Sequence, residues 1–95
     1  MFNLTVIQDE PRILDLELAR ALEFERPLDI RKLIKRNIKK LKQINVLATV
    51  AQTTGEEGGR PTEVYYLDQR QAIFICMKSE TARAFDIQIE IIKVY

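Results

Sequence analysis

DIRKLIKRNIKKLKQI, residues 29–44, decides how the rest of the chain is read. Ile30, Leu33, Ile34, Ile38, Leu41 and Ile44 recur at helical spacing, and at about 100° per residue they fall within an arc of roughly 140°. Arg31, Lys32, Lys35, Arg36, Lys39, Lys40 and Lys42 project to the other side. The spacing predicts one amphipathic helix over 29–45, opened by Asp29 as a capping residue, with an apolar stripe and an almost uniformly cationic face.

That face is out of proportion to the chain. Residues 26–43 hold eight Lys or Arg and one acid, a net of +7, while the other residues sum to −6, so a formal charge of +1 conceals a strong separation of sign. Ordinary solvated helices interleave Glu with Lys to gain small i,i+4 stabilisation. Here no acid occurs from Ile30 to Val46. Like charges along one rod repel, and a polyanion relieves the repulsion while releasing its condensed counterions. Three readings meet the pattern: a nucleic acid, an acidic protein surface, or a solvated outer face.

Outward from this helix the flanks alternate between sheet and helix signals. FNLTVI (2–7) reads as a short strand, QDEP (8–11) as a tight reversal, and Arg12–Leu14 as a returning strand. Asp15 reads as the N-cap of a helix running to about Phe24, with Leu18 and Leu22 on its packed face. Glu25 to Leu28 interrupts the helical pattern. Beyond the basic helix, VLATVAQ (46–52) reads as a strand, TTGEEGGR (53–60) as a flexible loop holding all three glycines, and Val64–Leu67 as the strand returning. The hairpin over 46–67 has the form of a wing. Arg60 stands where its tip reaches a phosphate or the minor groove, although Glu56 and Glu57 oppose close approach of the whole loop. Asp68 with Gln71 three residues on has the form of a capping box opening a helix through AIFICM. Ser79 reads as the cap of a last helix over 80–93. Within it IQIEII also alternates like a strand, but Ala82, Phe85, Ile89 and Ile92 fit one helical face, and helix is preferred.

Composition bounds the functional class. Ninety-five residues with 46% apolar and 31% charged side chains describe one folded domain, 1–95, with a single modest core. No apolar run reaches the roughly 18–20 residues of a membrane span. MFNLTVIQDEPR carries neither a basic leader nor a small-residue cleavage site, so a cytoplasmic protein is expected. The one cysteine, Cys76, reads as a small buried hydrophobe. With no histidine, the commonest neutral-pH general base is missing, and an enzyme is not expected. No carboxylate spacing resembles a metal loop, and GEEGGR lacks the Lys-Ser/Thr of a phosphate cradle, so neither metal nor cofactor is expected. Of the adjacent pair Tyr65 and Tyr66, at least one must face the core, since neighbours on a strand point opposite ways.

Two segments, LDLELARALEFERPLDIRKLIKRN and GRPTEVYYLDQRQAIFICMKSET, followed by a closing IIKVY, resemble the small DNA-binding domain of phage regulatory proteins. The groups in question are the Rha type and the N-terminal domains of related phage antirepressors. The resemblance covers roughly residues 13–95 and implies a winged-helix-like domain acting in lysogeny control or related regulation. It places Arg31, Lys32, Lys35 and Arg36 on the DNA-facing helix and the GRP loop near the duplex. Members of these groups often continue into a second domain with effector or oligomerisation activity.

The expectation is therefore an α+β domain, a small winged helix-turn-helix variant that binds double-stranded DNA as a phage or prophage regulator in a bacterial host. Helix 29–45 docks in the major groove, where Arg31, Lys32, Lys35, Arg36, Lys39, Lys40 and Lys42, with Arg60 from the loop, contact phosphates or bases. Its stripe is anchored on a core that includes Leu18, Leu22, Phe74 and Phe85. A domain this small makes few contacts, which favours a homodimer joined through the apolar last helix. The alternative is an antirepressor whose basic helix engages an acidic surface of a repressor or another protein.

Overall fold

The turn after the first strand shows how local chemistry sets the frame. In the computed structural model, which describes residues 4–53 and 61–94, Gln8 and Asp9 have φ of 51° and 65°. Two successive positive φ values are the requirement of a type I′ hairpin. The reversal is thus carried by Gln8–Asp9 between the paired Ile7 and Glu10. Pro11 is not part of the turn but lies in the second strand opposite Val6. This first hairpin joins β1 (Thr5–Ile7) to β2 (Glu10–Leu14).

β3 (Ala48–Thr53) and β4 (Pro61–Leu67) form the second hairpin, in a register running from Ala48 opposite Tyr66 to Thr53 opposite Pro61. β4 also pairs with β2, Ile13 opposite Leu67 and Leu14 opposite Tyr66. The result is one antiparallel, curled four-stranded sheet in the order β1-β2-β4-β3. The glycine-rich loop, residues 54–60, lies outside the described residues, and Arg60 with it.

Five helices are found among the described residues: α1 (Asp15–Ala21), α2 (Asp29–Arg36), α3 (Ile38–Ile44), α4 (Gln69–Ser79) and α5 (Ala84–Val94). α1 stops at Ala21, earlier than the expected Phe24. Glu23 takes a left-handed conformation (φ 62°), and the amides of Phe24 and Glu23 donate to the carbonyls of Ala19 and Arg20. This is a Schellman closure with glutamate where glycine is usual. The Asp68–Gln71 capping box opens α4 as expected: the Asp68 carboxylate accepts from the Gln71 amide (2.7 Å), and Gln71 Oε1 accepts from the Asp68 amide (3.0 Å). Ser79 does not cap the last helix. It closes α4, its hydroxyl donating to the Cys76 carbonyl at 2.7 Å, and α5 begins only at Ala84.

The core is shared by sheet and helices. Ile13, Tyr65 and Leu67 meet Leu18, Leu22, Ile30, Ile34, Leu41, Ala72, Ile75, Cys76, Ile87 and Ile91, all buried. Tyr65 is the core member of the tyrosine pair and Tyr66 is half-buried. One anchor assigned from the sequence is corrected. Phe74 is partly buried and packs against the core, but Phe85 is 71% exposed. The strand-like alternation of IQIEII arises because α5 is apolar on two opposite faces: Ile87 and Ile91 turn into the core, while Phe85, Ile89 and Ile92 turn out.

Candidate nucleic-acid interface

The basic segment folds as two helices rather than the single one expected over 29–45. The break falls at Asn37, whose backbone (φ −112°, ψ 18°) leaves the helical region. Its side-chain amide donates to the Leu33 carbonyl at 2.9 Å, the acceptor that a continuous helix would offer to the Asn37 amide. That amide bonds to Ile34 instead, at 3.1 Å, tightening the last turn. Ile30, Ile34 and Leu41 remain on the buried side of both helices, so the apolar stripe survives the break.

The start of α2 is also corrected. Leu28 occupies the cap position without a side-chain bond, and Asp29 sits in the first turn, where a carboxylate complements the helix dipole. Its carboxylate lies 3.7 Å from both Arg26 and Lys32, loose pairs on an exposed surface. Such pairs stabilise little.

Arg31 does not belong to the exposed face. Its side chain is only 13% exposed, and Nε donates to Asp15 Oδ2 at 2.8 Å, with the second oxygen 3.4 Å from Nη2. Asp15 is fully buried and is not the cap of α1. It occupies the first helical position after Leu14. Its carboxylate accepts from Arg31, from the Leu16 amide (2.6 Å) and from the Tyr65 amide in β4 (3.1 Å). A buried carboxylate needs several donors to offset lost hydration. These three ties fasten α1, α2 and β4 to one another. The guanidinium expected to meet DNA is therefore consumed in holding α2 to the sheet.

The other cations of α2 and α3 face water, Lys32 with only its loose pair to Asp29. Lys32 is 77% exposed, and Lys35, Arg36, Lys39, Lys40 and Lys42 are exposed. Among the described residues, none of these last five has an ion-pair partner. The dipoles explain only part of the arrangement. Lys35 and Arg36 end α2, where cations are favoured, but Lys39 and Lys40 lie in the first turn of α3, where they are not. Among the described residues no ion pair accounts for cations at that position.

The far end of this surface is held by a polar network that the sequence showed only in part. Gln71, read as half of a capping box, also sends Nε2 towards the carbonyls of Leu41 (3.2 Å), Asn45 (3.1 Å) and Val46 (3.4 Å). It thereby ties the last turn of α3 and the two residues after it to α4. Asn45 Nδ2 donates to Asp68 (2.8 Å) and Glu10 (3.1 Å), and buried Arg12 donates to Gln71 Oε1 and the Tyr66 carbonyl, both at 3.1 Å. α3 is thus clamped to β2 and α4 by side chains, while its cations point to water. Positioning residues of this kind were legible only as residue types: nothing local in the sequence pairs Asp15 with Arg31, or Gln71 with a helix end thirty residues earlier.

Among the described residues there is no cluster of three or more potential metal ligands, and no helix is long and apolar enough to cross a membrane. Cys76 is buried, which pushes its thiol up to about 12. No protein-family model matches this chain, and no curated protein or solved structure matches it either.

Proposed function

We propose that this domain binds double-stranded DNA through the outer surface of α2 and α3, as a regulator of the phage or prophage type that its motifs resemble. One observation carries the reading: five exposed cations on two rigidly anchored short helices have no intrachain anion among the described residues. Their mutual repulsion is a standing cost that a line of phosphates removes. In this reading α1 and the α2–α3 unit act as a helix-turn-helix variant and β3–β4 as its wing. Lys32, Lys35, Arg36, Lys39, Lys40 and Lys42 are the phosphate or base contacts, and Arg31 is not one of them. The domain works by binding rather than by catalysis.

The break at Asn37 has a consequence for docking. α2 and α3 each present two or three cations on separate axes, which follows a curved phosphate path better than it reads a run of base edges. Four to six phosphate contacts give a log–log salt slope of between about −3.6 and −5.4. The test is a fluorescence-anisotropy titration with an unrelated duplex across a salt series. Removing Lys39 or Lys40 singly is expected to make the slope shallower by about one unit each. Reversing Lys35 and Arg36 together to glutamate is expected to abolish binding while leaving the melting temperature near its original value. A slope near zero, or no duplex binding at low salt, overturns the reading in favour of an acidic protein surface such as that of a repressor.

A further inference from the structure

α5 uses only half of its apolar surface to fold. Ile87 and Ile91 fill the core, and on the opposite side Phe85, Ile89 and Ile92 are 71%, 38% and 56% exposed. At 100° per residue these three fall within about 60° of one another, a continuous stripe along the helix. With roughly 200 Å² to a large side chain, the stripe leaves about 300 Å² of apolar surface in water. Phe85 belongs neither to the core nor to the side chains packed against it.

The charges beside the stripe point to what covers it. Asp86 and Lys93 lie on the same shoulder, at about 100° and 80° from Phe85, one near each end of the helix. Lys93 has no ion-pair partner among the described residues, and Asp86 has only Arg83, at 3.9 Å. When two helices pack antiparallel, each shoulder faces the same shoulder of the other helix. A two-fold axis through Ile89 then sets Phe85 against the partner's Ile92 and Ile89 against the partner's Ile89. The same register brings Asp86 to the partner's Lys93, twice over. A single face that is complementary to itself in both shape and sign is the mark of an isologous contact.

We propose that the outer face of α5 is a self-association surface on which a second copy of this chain lays its own α5 antiparallel, centred on Ile89. The stripe supplies under half of the roughly 800 Å² per partner of a standard stable interface. The association is accordingly reversible, with dissociation in the micromolar range. The inference does not rest on duplex binding, since α5 carries none of the cations assigned to DNA. Its consequence for that reading is a pair of basic surfaces related by a two-fold axis.

Sedimentation velocity of this chain across the micromolar range tests the proposal. A monomer–dimer equilibrium is expected. Asp86→Lys and Lys93→Asp alone are each expected to weaken it about tenfold or more, because each replaces two attractive pairs by two repulsive ones. The double variant restores the pairs with sign exchanged and is expected to recover dimerisation to within about threefold of the original. Phe85→Ser is expected to leave the chain monomeric with its melting temperature unchanged, since the ring does not pack in the core. A chain that stays monomeric throughout overturns the proposal. So does a double variant no better than the singles, or a Phe85→Ser protein that dimerises as before.

Discussion

Asp15→Ala is the substitution that most directly examines how the basic surface is held. The carboxylate is fully buried, and its loss strips a partner from Arg31, itself 13% exposed, and from the amide of Tyr65 in the middle of β4. Breaking a buried ion pair by removing one member costs about 3–5 kcal/mol. The orphaned amide alone is worth about 1–3 kcal/mol, and since the two effects share one side chain they overlap rather than add. A loss of about 4 kcal/mol is expected, a large part of the 5–15 kcal/mol that holds a typical domain. For a chain this short each kcal/mol shifts the melting temperature by roughly 4–8 °C, so the midpoint is expected to fall by about 20 °C. Circular dichroism melts, with urea titrations at low temperature, measure it. Arg31→Met leaves a buried carboxylate unpaired and is expected to destabilise comparably. Asp15→Leu combined with Arg31→Met removes both charges and recovers much of the loss. Two results refute the reasoning: a loss below about 1 kcal/mol for Asp15→Ala, or an Arg31→Met protein that folds normally yet binds duplex tenfold more weakly. The second would return Arg31 to the face from which its ion pair removes it.

Stability is expected to decline on the alkaline side. Burial, followed by the hydrogen bond to Glu63 and that residue's charge, pushes the Tyr65 phenol up to about 12 from 10.0, and burial pushes the Cys76 thiol up to about 12 from 9.0. Both groups are neutral when protonated and titrate later in the folded chain than in the unfolded one. Their contribution is therefore whole below pH 9 and lost as pH rises through the interval from about 9 to about 12, which urea midpoints in that range will show. For the same reason the Cys76 thiol is expected to resist a thiol reagent at pH 8 until denaturant is added. Glu80 holds a left-handed conformation (φ 54°, ψ 30°) after α4. Glu80→Gly removes a strain of about 1–2 kcal/mol, partly offset by the entropy of a freer unfolded chain, and a rise of a few degrees in the melting temperature is expected.

Much of the local architecture was legible in the residues. The hairpin after VLATVAQ, the capping box at Asp68 and the apolar stripe from Ile30 to Leu41 all follow from chemistry acting within a few positions. The helix break at Asn37 was less visible, because helical periodicity continues across it. The signal was an asparagine inside a run of strong helix formers, a residue whose side chain competes for backbone carbonyls. Phe85 was misplaced for a different reason. Ala82, Phe85, Ile89 and Ile92 do share a face, but periodicity identifies faces without saying which one turns inward, and on α5 both are apolar.

The charge separation of this chain, its α+β character and the helical spacing of its cations belong to the sequence by itself, since each depends on residue types and short intervals. Which cations remain available was decided only by the tertiary structure. Asp15 and Arg31 stand sixteen positions apart, and Gln71 and Leu41 thirty. Closing those distances withdraws one guanidinium from the surface and fixes the other charges in place. An ion pair or hydrogen bond is a contact in space, and pattern along the chain carries no record of which distant partner will arrive to make it.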